Sequence, residues 1–279
     1  MIMTAIAAWV RKFPQGPEEL CIISDSRLRG DGRTIDMAPK ILSFPRGDMV
    51  LGFAGDTGIA YPFLQQLVFT CESFRAARTR ALDIIEYRSH ILKILNDMVN
   101  KITVEVKDIS CSECEFILAG YSWIKKDFKI WKIYFSKQSN SYTYQKCGTI
   151  GGISKILMAG SDASLLNKKL AQILTDRRGK NWNMGGALDF EPLEAMAAIL
   201  KVNNKDSSIG GAPQLVKVYQ YLKTLPVPLI WEYEKGKPVV TILGRPLMGY
   251  ENFDNWALNP ITLKKIPPKP ERHEDHAAQ

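Results

Sequence analysis

Apolar positions fall into two rhythms along the chain. Residues 3 to 10 and 20 to 28 are β-rich runs, and FPQGPEE between them, with Pro14, Gly16 and Pro17, predicts a turn and hence an antiparallel hairpin. Short strands are expected at 40 to 44 and 48 to 54, after a second turn at Gly30-Asp31-Gly32. The period then lengthens. Residues 57 to 71 and 79 to 101 carry apolar side chains three and four apart, as at Leu82, Ile85, Ile91, Leu92, Leu95 and Val99, which predicts two core-facing helices.

Alternation returns at 115 to 123 and 127 to 136, where Phe128, Ile130, Lys132 and Tyr134 lie opposite Lys129, Trp131 and Ile133. A short strand ending at Ala159 precedes helices from Asp162 to about 175 and from about Glu191 to Val202, the latter with Pro192 in its first turn. Strands follow at 213 to 221, with a hairpin at 228 to 243 around Gly236. From Pro260 onward Pro, Lys, Glu and His dominate, and a mobile tail is expected. Strands, two helices, strands, two helices, strands is an α+β order, read as two antiparallel sheets covered by helices in a four-layer αββα sandwich. One domain is expected over residues 1 to 243, with 244 to 279 as a C-terminal extension.

Composition narrows the classes of function. With 279 residues, 46% of them hydrophobic, the chain can bury a sizeable core. The net charge of +8 is spread without a basic block, so no nucleic-acid arm is indicated. The ten apolar residues at the N-terminus precede their basic pair, Arg11-Lys12, and fall short of the roughly twenty a membrane helix needs, so neither a signal nor a span is expected. The five cysteines are odd in number and lie mostly in apolar runs, consistent with thiols in a cytoplasm. Cys111-Ser-Glu-Cys114 has metal-ligand spacing, but no second such pair completes a site, and no metal or cofactor is expected. Trp123, Lys125, Lys126, Lys129, Trp131, Lys132 and Lys137 mix aromatics with base. A nucleic-acid surface has this composition, but so does a strand pair with one wet face, which is the reading preferred, and no nucleic-acid partner is expected.

The polar landmarks carry more meaning in order than singly. A Thr near the N-terminus (MTAIAAW), an Asp ending the second strand (ISDSR), a Lys opening a later strand (APKILSF), a glycine turn into a helix (GFAGDTGIA), a GS before the third helix (MAGSDAS) and a late Asp before a glycine pair (KDSSIGGAPQLVKV) follow one another. Over residues 3 to 220 this succession resembles the proteasome β-subunits and the peptidase subunit of the bacterial two-component ATP-dependent protease, a family of N-terminal-nucleophile hydrolases.

The resemblance implies a threonine peptidase in which Thr4 is the nucleophile and its freed α-amine the proton relay. Lys40 would favour the alkoxide, Asp25 would pair with Lys40, and the Gly55 N–H would face the oxyanion. Ser161 and Asp206 would hold the amine. Leu28, Ala38, Leu42, Phe53 and Thr57 fall where that family lines its specificity pocket, which would be apolar; Leu28, Leu42 and Phe53 serve equally as ordinary core.

The implied setting is a cytoplasmic homo-oligomeric ring acting on peptides or unfolded protein, with any ATP-dependent unfoldase partner unknown. Three features depart from the pattern. Met1-Ile2-Met3 precede Thr4, so the active form needs trimming or a start at Met3; Ile209 stands where the family has a serine; and nearly sixty residues follow the family-like core. Two other readings stay open: a non-catalytic assembly or binding subunit of the same fold, and an N-terminal-nucleophile amidase acting on a small molecule.

Overall fold

In the computed structural model the described residues are 4–13, 18–30, 32–102, 111–147, 156–179, 187–202, 207–234 and 236–268. The turn expected at FPQGPEE lies largely outside them, as does the final part of the expected tail.

The first sheet runs β10-β1-β2-β11-β12 and is antiparallel throughout: β1 Ile6–Arg11, β2 Glu19–Ser24, β10 Ile156–Ala159, β11 Gln214–Tyr219 and β12 Lys223–Pro226. The second runs β5-β6-β7-β8-β9: β5 Ile41–Ser43, β6 Met49–Ala54, β7 Glu115–Ser122, β8 Asp127–Ser136 and β9 Ser141–Lys146. A small hairpin, β3 Leu28–Gly30 with β4 Arg33–Ile35, stands beside the first sheet. A third sheet, β15-β14-β13-β16-β17, closes the chain: β13 Leu229–Glu234, β14 Lys237–Ile242, β15 Arg245–Pro246, β16 Ala257–Leu258 and β17 Lys265–Ile266.

The alternation of side chains explains the packing. On β1, Ala7 and Trp9 join one core while Ile6, Ala8 and Val10 join another, and β6 divides likewise between Met49, Leu51 and Phe53 on one face and Val50 and Ala54 on the other. The central strands of the two large sheets are therefore buried on both faces. The core shared by the two sheets takes Ile6, Ile22, Ile41, Val50, Ile117, Ile130 and Val216. A second core sets the β6–β7–β8 face against α1 Thr57–Ser73 and α3 Ile84–Asn100; a third sets β1 and β2 against α4 Ala163–Arg178 and α5 Glu191–Val202.

Caps decide where the helices begin. Asp56 accepts from Gly58 N at 2.7 Å to open α1. Asp83 and Glu86 form a capping box that opens α3 at Ile84, so the helix expected from residue 79 starts five residues later and Arg75–Arg78 form a separate turn, α2. Arg177 and Arg178, in the last turn of α4, pair with Glu194 and Glu191 of α5 and fix the two helices together.

Three expectations change. The run from 20 to 28 leaves the sheet at Ser24, because Asp25, Ser26 and Arg27 turn inward to polar partners. β8 does not divide into one dry and one wet face: Phe128 and Ile130 are buried on one side and Trp131 and Ile133 on the other, with Lys129 and Lys132 only partly exposed. Strands β9, β12 and β15 to β17 have too few apolar residues to announce themselves. No helix among the described residues is long and apolar enough to cross a membrane.

Candidate active site

Thr4 leads into β1, Asp25 follows β2 and Lys40 immediately precedes β5, so the pairing of the strands carries three distant residues to one point. Lys40 Nζ donates to Thr4 Oγ1 at 3.1 Å and to Asp25 Oδ1 at 2.9 Å. Lys40 and Asp25 are fully enclosed, and Thr4 is 3% exposed.

Burial sets the electrostatics. It pushes the Lys40 ammonium below the ordinary lysine range, a shift that the facing Asp25 carboxylate only partly offsets. Burial raises Asp25 likewise, against the opposing pull of Lys40 and two backbone donors. Those donors are Arg27 N and Gly210 N, at 3.1 and 3.3 Å from Asp25 Oδ2. They hold the carboxylate so that its other oxygen faces Lys40.

A second layer positions the lysine. Gln214 is fully buried on β11; its Oε1 accepts from Lys40 N at 3.0 Å and its Nε2 donates to Ala38 O at 2.6 Å, so one side chain ties the lysine-bearing segment to the first sheet. Ser26 Oγ lies 2.8 and 2.7 Å from the carbonyls of Asp36 and Ala212. Arg27 grips Asp36 with two donors at 2.6 and 2.8 Å. Against this layer rests the turn between β14 and β15: a Cβ on Gly244, whose φ is +90°, would fall 2.3 Å from Ser26 Cβ.

The turn after β10 approaches Thr4 from the other side. Asp162 N donates to the Thr4 carbonyl at 3.3 Å, and Gly160 N to Glu115 Oε2 at 2.9 Å. Ser208 Oγ donates to Asp162 Oδ2 at 3.2 Å, while Ser161 is exposed with its Oγ 3.5 Å from the same oxygen. Asp162 is close enough to favour the charged form of Lys40. Sequence reading passed over Asp162, Ser208, Gln214 and Glu115, since an isolated polar residue in a turn or strand carries no distinguishing pattern.

Of the remaining expected residues, Gly55 directly follows β6 with φ +125°, and Asp206 lies outside the described residues. Ala38 is buried. Leu28 and Leu42 are half-buried against the helix-covered core and Thr57 is half-buried at the start of α1. Phe53 is fully enclosed, edge-on to Tyr61 at 5.2 Å. Cys111 and Cys114 are buried, with Cys114 Sγ 3.2 Å from Asp56 O, and no group of three or more His, Cys, Asp or Glu among the described residues is disposed to hold a metal.

Among solved structures, Anbu (ancestral beta-subunit) from Yersinia bercovieri aligns with 80% of this chain and 87% of its own length, with a TM-score of 0.55 and 16% sequence identity. The chain shares the Anbu fold. That fold is proteasome-like, and at this identity the likeness concerns fold alone.

No protein-family model and no curated protein matches the chain. The resemblance to proteasome β-subunits and to the ATP-dependent peptidase subunit is therefore corrected: it does not extend to family membership, and what stands is the shared fold with Anbu. Sterics explain why the motifs overstated it. A Cβ on Gly55 would lie 2.0 Å from Glu113 O, and one on Gly160 2.0 Å from Thr4 O. Glycines that this backbone requires at these positions report its local geometry and not a lineage.

Proposed function

We propose that this chain is an N-terminal-threonine hydrolase that cleaves peptide bonds, built on an αββα stack of helices, two sheets and helices. The observation that carries the reading is Lys40, a fully buried cation 3.1 Å from the Thr4 hydroxyl and 2.9 Å from Asp25. An ammonium held in a dry pocket against a neutral hydroxyl has little structural purpose, and it is the partner an alkoxide needs.

In this reading Thr4 Oγ1 attacks the substrate carbonyl carbon and its proton passes to the freed α-amine of Thr4. Lys40 stabilises the developing alkoxide, and Gly55 N–H meets the oxyanion. Collapse of the tetrahedral adduct breaks the C–N bond, the amine leaves with the proton, and an ester on Thr4 remains. Water activated by the same α-amine then hydrolyses that ester and restores the threonine. Ser161 and Asp206 hold the amine, and Leu28, Ala38, Leu42, Phe53 and Thr57 give an apolar specificity pocket. An unenclosed peptidase endangers its surroundings, so a homo-oligomeric ring in the cytoplasm follows. The contact of Gly244 with Ser26 supports extending the functional unit beyond residue 243 into the last sheet.

Covalent labelling tests the reading. A threonine-directed epoxyketone is expected to add to Thr4, with N-terminal sequencing of the active protein starting at Thr4 and labelling lost in Thr4→Ala. An active protein that retains Met3 sinks it.

Two points favour a non-catalytic reading: Thr4 is only 3% exposed, and Ile209, buried at 1% exposure, stands in sequence where the resembled family has a serine. An inert protein whose N-terminus is freed at Thr4 would establish that alternative.

A further inference from the structure

The α3 helix crosses the β8–β9 face at the edge of its sheet and leaves a cavity of about 480 Å³, the size of a small organic ligand's site. Its walls are unlike the rest of the core. Arg88 of α3 lies between two rings, its guanidinium carbon 3.9 Å from the centroid of Tyr144 and 5.2 Å from that of Trp131. Lys125, Lys129 and Lys146 stand around the same space, over an apolar floor that includes Ile85.

The charges do not balance. Lys129 pairs with Asp127 at 2.9 Å. Arg88, Lys125 and Lys146 have no carboxylate within ion-pair distance among the described residues, although Arg88 is only 9% exposed. Its Nε is buried and makes no hydrogen bond to a described residue. A desolvated guanidinium without a counter-charge is costly, and two aromatic faces recover only part of that cost. Elsewhere in this protein buried arginines are matched: Arg46 by Asp48 and Arg27 by Asp36.

We propose that this cavity binds an organic anion with an aromatic or bulky apolar body, its carboxylate meeting Arg88, Lys125 and Lys146 and its body lying on Trp131 and Tyr144. The site is separate from Thr4 and does not depend on the reaction proposed there. Two sources supply the required chemistry, a free aromatic acid and the terminal carboxylate of a peptide ending in an aromatic residue.

Calorimetry on the full-length Thr4→Ala protein, which leaves peptide probes intact, separates them. The probes are 1-naphthoate, 1-naphthylmethylamine, the tripeptide acid Ala-Ala-Phe and its amide. Saturable binding of 1-naphthoate or of the tripeptide acid is expected, at least tenfold tighter than the naphthylmethylamine or the amide. The tighter of the two acids identifies the source. Arg88→Met is expected to weaken it tenfold or more. If Arg88→Met does not fold, Lys125→Glu/Lys146→Glu, at exposed positions, is expected to abolish binding by itself. Equal binding of amine and acid, no saturable binding by any probe, or undiminished affinity in the folded variants overturns the proposal.

Discussion

Two buried ion pairs in this protein differ in what surrounds them. Arg46 and Asp48 sit two residues apart around one tight turn, with donors at 2.7 and 3.1 Å to the two carboxylate oxygens and a further bond to Leu82 O at 2.8 Å. Lys40 and Asp25 come from separate segments, meet through one oxygen, and Lys40 turns another donor to a hydroxyl. Arg46 joins a turn to the approach of α3 and lies over Tyr87 at 5.1 Å; it touches nothing that reacts. A planar fork is suited to fastening, and a compact ammonium to sharing its charge with a third group. Enclosure of a charge pair is therefore no mark of chemistry by itself; what separates the two is that Lys40 meets a hydroxyl where Arg46 meets a carbonyl and a ring.

Substitution of the two cations breaks the comparison most directly. Lys40→Met is expected to reduce peptide hydrolysis per folded molecule by about a thousandfold or more, because the alkoxide loses its counter-charge. Asp25→Asn should be nearly as damaging. Arg46→Met is expected to cost about 3–5 kcal/mol of stability by leaving a buried carboxylate unmatched, yet to leave hydrolysis per folded molecule within about twofold. Urea unfolding alongside rates normalised to the concentration of folded protein reads both quantities. Equal losses of rate in the two variants would erase the distinction.

A pH profile sharpens it. Burial lowers the Lys40 pKa, so the ammonium loses its proton at a lower pH than an ordinary lysine, and the alkaline limb of kcat/KM is expected below the usual lysine pKa of about 10.5. Asp25 raises Lys40, so Asp25→Asn is expected to move that limb further down in whatever activity remains. Stability runs the opposite way. Between the folded Lys40 pKa and the unfolded one, the unfolded chain binds more protons, and this group's contribution to stability rises with pH. An upward shift of the limb in Asp25→Asn contradicts the assigned pairing.

The smallest effect concerns the support of the turn beside Thr4. Ser208→Ala removes the hydroxyl that donates to the Asp162 carboxylate and is expected to lower kcat only about two- to fivefold with KM unchanged, since the bond props the turn and touches no reacting atom. A loss as large as that in Lys40→Met would move Ser208 into the reacting group itself.

The α+β order and both long helices were legible because amphipathic periods of 3.6 and 2 persist over whole elements. Thr4, Asp25 and Lys40 were legible as an ordered succession, and the structure brings these three together. The supporting residues were not. Gln214 does its work through a backbone amide and carbonyl on another segment, and nothing about glutamine in a strand announces that. Nor could the sequence tell shared fold from shared family, because Gly55 and Gly160 answer to close backbone contacts, at Glu113 O and Thr4 O, that a fold alone can impose. Of the last sheet only the β13–β14 hairpin was legible: β15, β16 and β17 span two residues each, too few for any alternation to register.

The turn at Gly244 has a bearing on how the protein matures. Ser26 and Gln214 are braced by a residue more than two hundred positions downstream of Thr4, so the surroundings of Lys40 reach their final form only when that late segment arrives. Loop closure over such separations is slow, and during synthesis the early strands wait for it. A nascent chain still short of residue 244 holds its threonine, aspartate and lysine in an unbraced arrangement. On the proposed reading, the order in which the ribosome delivers the segments keeps the Thr4 centre from being completed before the body that contains it.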